Sequence, residues 1–189
     1  MRKVNLVAAF VALVFTVSAQ NWTLDKSHAK LGFGITHMMI SEVEGQFKNF
    51  DIKLSATKPD FTDAVIELSA DVSSINTDNE QRDTHLKGAD FFDAEKFKTL
   101  NFKSTSLAKT GEKTYQLTGD LTMHGITKPV VLEVTFNGTI EHPYTRKTVA
   151  GFKVKGKINR SDFAVGTSFA AGMLSEEVTI TANAEFSKD

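Results

Sequence analysis

Cysteine is absent from the 189-residue chain. Its absence excludes a disulfide staple, a thiolate metal site and lipid attachment through a cysteine at an export cleavage site. No HExxH occurs among the five histidines, and no two of them are closely spaced. His28 and His37 are nine apart, an odd separation that places them on opposite faces of any regular strand holding both. There is no GxSxG elbow and no glycine-rich phosphate cradle: Gly166-Thr167-Ser168 lacks a following Lys-Ser/Thr. These absences leave no catalytic residue, metal or cofactor to assign. No Pro/Gly/Ser-rich linker, internal repeat or low-complexity tract divides the chain, and no second apolar stretch follows the first.

That first stretch runs from Val4 to Val17 behind Arg2 and Lys3 and ends at Val17-Ser18-Ala19. A basic start, a short apolar run and a small-residue site are the pattern of a secretory signal peptide, too short to span a bilayer comfortably. Cleavage after Ala19 leaves one domain over 20–189, with no stable membrane span. Without Arg2 and Lys3, the 22 basic residues become 20 against 23 acidic ones, a net charge of −3 that argues against a nucleic-acid partner. An exported, mildly acidic domain without cysteine fits a bacterial periplasm.

What is present is alternation. Ala29, Leu31, Phe33 and Ile35 share one parity, and Val43, Gly45 and Phe47 begin a second run. That run changes parity to Phe50, Ile52 and Leu54, so a bulge or bend belongs near Asn49. Further one-faced strands pass through Ala64–Val72, Leu100 and Phe102, Tyr115–Met123, Val130–Phe136, Phe152–Ile158 and Val178–Phe186. Eight such strands with short connections predict an all-β fold, an eight-stranded antiparallel up-and-down barrel, with an open sandwich as the alternative. Between the third and fourth strands the alternation stops. There Thr77 and Glu80 have capping-box spacing and Gly88 is a natural stop, which predicts a short helical insertion. Within it Asp78–Arg82 and Asp83–Lys87 have i, i+4 spacing for ion pairs, and a second turn from Asp90 would carry Phe91, Phe92 and Phe97 inward.

Fifteen phenylalanines against two tyrosines and one tryptophan make the aromatic surface almost wholly apolar. Phe33, Phe47, Phe102, Phe136 and Phe152 fall on the apolar strand faces with Leu121, and Phe91 and Phe92 on the insertion. They are either core filling or the lining of a lumen for a long apolar ligand. Arg82, Asp83, His85 and Arg160 are the candidates for a polar head group, Arg82 first because a guanidinium grips phosphate or polar oxygen in a fixed fork. His28 reads as a polar tie at the start of its strand.

Seven segments in order resemble the YceI-like, polyisoprenoid-binding proteins. They are Trp22-Thr-Leu-Asp25-Lys-Ser-His28 with Gly45-Gln-Phe47, Ser74-Ile75-Asn76-Thr77, Arg82-Asp83-Thr84-His85-Leu86, Asp90-Phe91-Phe92-Asp93, Phe102-Lys103-Ser104, Gly119 to Pro129, and Asn159-Arg160-Ser161-Asp162-Phe163 with Glu177-Val178. The resemblance implies a lipocalin-like barrel, usually periplasmic, that holds a polyprenyl phosphate, isoprenoid quinone or fatty amide for transport or storage. It does not imply an enzyme. Two other readings stand beside it: an enzyme acting on such a lipid through His85 or His28, and a stress-related interaction protein whose cavity is incidental. A homodimer is left open.

Overall fold

The computed structural model describes residues 20–189, and the expected signal peptide over 1–19 lies outside the described residues. Ten strands form one antiparallel sheet: β1 Gln20–His37, β2 Ser41–Phe47, β3 Phe50–Ala56, β4 Val65–Asp71, β5 Ile75–Asn76, β6 Thr99–Lys109, β7 Thr114–Met123, β8 Ile126–Glu141, β9 Thr148–Asn159 and β10 Leu174–Lys188. The order is β10-β9-β8-β7-β6-β4-β3-β1-β2-β5, and β10 also pairs with β1. That last pairing closes the barrel, and β2 keeps only the two-residue β5 along its far side.

The barrel has eight staves, because β2 and β3 are halves of one bent strand. β1 pairs with β3 at Gln20–Trp22 and with β2 at Leu31–His37. The break falls at Lys48 and Asn49, where the change of parity puts it. A 3-10 turn, Val72–Ser74, fills it: the Lys48 N–H donates to the Ser74 carbonyl at 3.1 Å and the Asn49 N–H to Ser74 Oγ at 3.0 Å. β1 carries its own irregularity, a register shift against β10 between Asp25 and Lys30. It turns the inward parity from Trp22 and Leu24 to Leu31 and Phe33, as a bulge must.

Helix α1, Glu80–Lys87, lies between β5 and β6 as the expected insertion, and Gly88 stops it. Its start differs from the capping-box expectation. The N-cap is Asn79, whose Oδ1 accepts from the Arg82 N–H at 2.9 Å. A left-handed Asp78, φ 57°, turns Thr77 away from the helix start. The Thr77 hydroxyl donates instead to Asp83 Oδ1 at 2.6 Å. Asp83 is thereby buried, and neither expected i, i+4 pair forms an ion pair among the described residues. Phe97 also departs from expectation: it packs on His124 at the β7–β8 turn, 4.7 Å between ring centroids, rather than inward.

One end of the barrel is filled by rings. Phe61, on the loop between β3 and β4, is 1% exposed and lies 5.0 Å from Trp22, 5.2 Å from Phe136 and 5.0 Å from Phe152. The Tyr115 hydroxyl donates to the Asp60 carbonyl at 2.8 Å, and the Asp63 carboxylate accepts the N–H groups of Thr57 at 3.0 Å and Lys58 at 3.1 Å. These bonds hold the loop inward over the barrel end.

Candidate functional site

Above that plug the staves enclose a cavity of about 420 Å³. Its wall is almost entirely apolar because each stave turns one parity inward. Phe33, Phe47, Phe102, Leu121 and Phe152 line it from the strands, and Phe91 and Phe92 from the segment after α1. Two glycines make room for those rings. A Cβ on Gly45 would lie 2.8 Å from Phe33 Cε1, and one on Gly119 would lie 2.6 Å from Phe102 Cε2. No real contact is that close, so at these positions the absence of a side chain is what lets the rings lie against the wall. Phe136 does not line the cavity; it stacks on Phe152 with centroids 5.3 Å apart and belongs to the plug.

The cavity meets solvent at the other end. Its lining includes the exposed His37, His85 and Met173 there, whereas Phe61, Tyr115 and Phe186 at the plugged end are buried. Over the mouth Phe91 and Phe169 stack at 5.0 Å, with the His85 ring 5.0 Å from Phe91 and 5.8 Å from Phe169. Phe92 meets Phe47 edge-on at 5.9 Å just inside.

The four polar candidates separate into different roles. Asp83 does not line the cavity: Oδ1 accepts both the N–H of Thr77, at 2.8 Å, and its hydroxyl. Thr77 in turn orients Arg82, whose Nε donates to Thr77 Oγ1 and whose Nη2 donates to the Thr77 carbonyl, both at 2.7 Å. The half-buried Arg82 lines the cavity, makes no ion pair, and its Nη1 makes no hydrogen bond to protein among the described residues. Since a guanidinium has five N–H donors, this leaves a fixed cation with donors to spare.

Arg160 is the opposite case. Although it touches the cavity, it is 2% exposed and its donors are consumed. Nε donates to Ser175 O at 3.0 Å and Nη1 to Val165 O at 3.3 Å and to Gly166 O. Nη2 reaches Phe169 O at 2.8 Å, Leu174 O at 3.1 Å and Glu176 Oε1 at 2.9 Å. It ties down the loop that carries Phe169. Its donors are thus committed to the protein, unlike those of Arg82.

His85 lines the mouth, with Nε2 3.9 Å from Asp90 Oδ2. His28 lies outside the lumen, its Nδ1 2.9 Å from Asp25 Oδ2 and 4.0 Å from Glu185 Oε2. The Ser27 hydroxyl, then His28 and the Ser27 amide, hold the Asp25 carboxyl well below the usual range. The hydrogen bond to Asp25 pushes His28 up from its ordinary 6.5. Asp25, His28 and Glu185 converge on the outer wall. Sequence reasoning missed Phe169, Phe61 and the bracket made by Thr77. Phe169 had one available signal, a run over 164–175 without a charged residue.

The family profile described as YceI-like domain matches residues 22–186. A UPF0312 protein of Staphylococcus aureus is 37% identical over 171 residues, spanning 88% of this chain and 97% of that protein. Among solved structures, the YceI protein of Campylobacter jejuni is 27% identical with a TM-score of 0.75, covering 100% of this chain and 99% of that one. BcnA of Burkholderia cenocepacia, 24% identical, has a TM-score of 0.77 over 86% of this chain and 98% of that one. A polyisoprenoid binding domain from Saccharophagus degradans, 12% identical with a TM-score of 0.65, covers 91% of this chain and 100% of its own and shares the fold.

Proposed function

Because the chain belongs to the YceI-like domain family, we propose that it is a binding protein holding a long-chain isoprenoid or related lipid in the barrel lumen. The observation that carries this is the pairing of a phenylalanine-lined cavity of about 420 Å³ with a fixed guanidinium that keeps free donors, Arg82, at its open end. The volume lies within the range of small-molecule sites, and an apolar wall with few polar groups suits a chain with one polar end. A polyprenyl phosphate uses the spare Nη1 donors most fully; an isoprenoid quinone or a fatty amide uses them through neutral oxygen.

Binding fits the geometry better than turnover. At the mouth, His85 has only a distant carboxylate beside it, and the better paired His28 faces away from the lumen. General acid–base chemistry needs such groups within hydrogen-bond reach of the reacting atoms. No helix among the described residues is long and apolar enough to cross a membrane. The apolar run Val4–Val17 and its small-residue site support export to the periplasm, with transport or storage of the lipid there.

Native mass spectrometry of protein recovered from the periplasm, followed by organic extraction, tests the reading. The expected result is a chain beginning at Gln20 that carries an apolar molecule, in a stoichiometry that also shows whether the barrel is a monomer or a homodimer. A lumen with no bound and no competable lipid overturns it.

A further inference from the structure

Four large apolar side chains stand in water beside the lumen mouth: Met38 at 54% exposure, Met39 at 69%, Ile40 at 85% and Met173 at 53%. One such residue alone would mean little, but these share one place. His37 to Ile40 is the turn between β1 and β2, closed by the Ile40 N–H donating to the His37 carbonyl at 3.2 Å. The Met38 N–H donates to the Met173 carbonyl at 2.8 Å, which joins the turn to the loop before β10. His37 and Met173 also line the lumen, so the patch continues into the mouth.

The surroundings narrow the partner. Neither 37–41 nor 164–175 contains an Asp, Glu, Lys or Arg. The nearest charges along the chain are acidic: Glu42 and Glu44 on β2 make no ion pair among the described residues, whereas Glu176 and Glu177 on β10 are paired with Arg160 and Lys157. A surface of strong negative charge would meet repulsion from the exposed Glu42 and Glu44, whereas an uncharged apolar phase would not. The turn is also built against its own backbone. Met38 and Met39 have φ of 50° and 60°, a pair of left-handed conformations that favours Asn-Gly and is costly for long side chains. Two flexible methionines occupy the tip despite that cost, and their thioethers adapt to irregular apolar surroundings.

We propose that this tip is a docking surface for a lipid bilayer of no net charge, set so that the lumen mouth faces the bilayer and an apolar chain can pass between them without crossing water. The proposal rests on the lipid-holding reading of the lumen. Side chains of this kind enter the boundary between head groups and acyl chains, and the acidic neighbours keep the attachment from depending on anionic lipid.

The test uses the barrel from Gln20 to Asp189, which contains every described element, floated with phosphatidylcholine vesicles. Wild type is expected to float with them, with little change on adding salt or anionic phosphatidylglycerol. The Met39→Asp/Ile40→Asp variant is expected to lower the bound fraction at least about tenfold. Met38→Asn/Met39→Gly, which suits the turn and protects folding, should lower it as well. Three results overturn the proposal: wild type that does not float, variants that float equally, or attachment that needs anionic lipid and is lost in salt. A concentration-dependent dimer that the aspartates abolish, without vesicle binding, assigns the tip to a second copy instead. Native mass spectrometry on the same samples separates the two readings. Variants that keep lumen lipid and lose vesicles support docking, whereas wild type that floats with an empty lumen sinks the carrier reading alone.

Discussion

The two ends of the barrel are made from similar residues and finished in opposite ways. At the plugged end Phe61 is driven among Trp22, Phe136 and Phe152, and the loop that carries it is tied by the Tyr115 hydroxyl and the Asp63 carboxylate. At the open end the buried Phe91 stacks on the half-buried Phe169 beside the exposed ring of His85. The difference teaches that an aromatic residue on an inward face does two jobs in this chain, and that its height in the barrel decides which. Buried on all sides it stabilises the fold; at the rim it covers a cavity whose contents can leave.

The largest expected effect comes from breaking the plug. Phe61→Ala removes a fully buried ring in contact with three others, and its cost is about 3–5 kcal/mol of stability. Denaturant unfolding measures it, and a loss below about 1 kcal/mol would show that this end is not held by the ring.

The two arginines sharpen the same contrast. Arg160→Ala orphans several carbonyls in a buried loop anchor and is expected to lower stability by about 3 kcal/mol. Arg82→Ala is expected to act on ligand: it weakens a charged-head lipid by about tenfold or more and an uncharged analogue less, because a hydrogen bond to a charged group is worth about 1.5–3 kcal/mol. Competition binding with the two lipids reads it. Equal loss for both would make Arg82 a structural residue like Arg160.

The smallest effect is on the outer wall. Asp25, with its pKa held down, contributes stability that is present above its unfolded value and lost as pH falls through its folded one. His28, with its pKa raised, contributes stability that is complete below 6.5 and lost as pH rises through its folded value. Both contributions overlap between about pH 4 and 6.5, and solvent keeps them small. In an NMR titration His28 should have its midpoint above 6.5, returning toward 6.5 in Asp25→Asn. A midpoint unmoved by that substitution would remove Asp25 as the cause.

Much of this was legible in the residues. Alternation marked all eight staves, and the change of parity after Phe47 marked the break near Asn49. The interruption after the third strand marked the helix. What misled was local spacing: Thr77 and Glu80 had the distance of a capping box, but the turn at Asp78 handed Thr77 to Asp83 and made Asn79 the cap. Phe169 lay in a stretch without strand or helix periodicity, where no pattern says which side chain turns inward.

Phe136 and Phe152 show where the boundary lies between sequence and tertiary structure. A period of two residues determines which side chains face the interior, because successive side chains along a strand point to opposite faces. It says nothing about height along the barrel axis, which depends on strand tilt and on the stagger between neighbouring strands. The sequence alone therefore determined a domain with eight one-faced strands, a helical insertion and a phenylalanine-rich interior. Tertiary packing decided that Phe61 enters beside Phe136 and Phe152, which face each other across β8 and β9, and that Arg82 lines the cavity with free donors while Arg160 is consumed. Those outcomes rest on contacts between residues far apart in the chain, which no local pattern encodes.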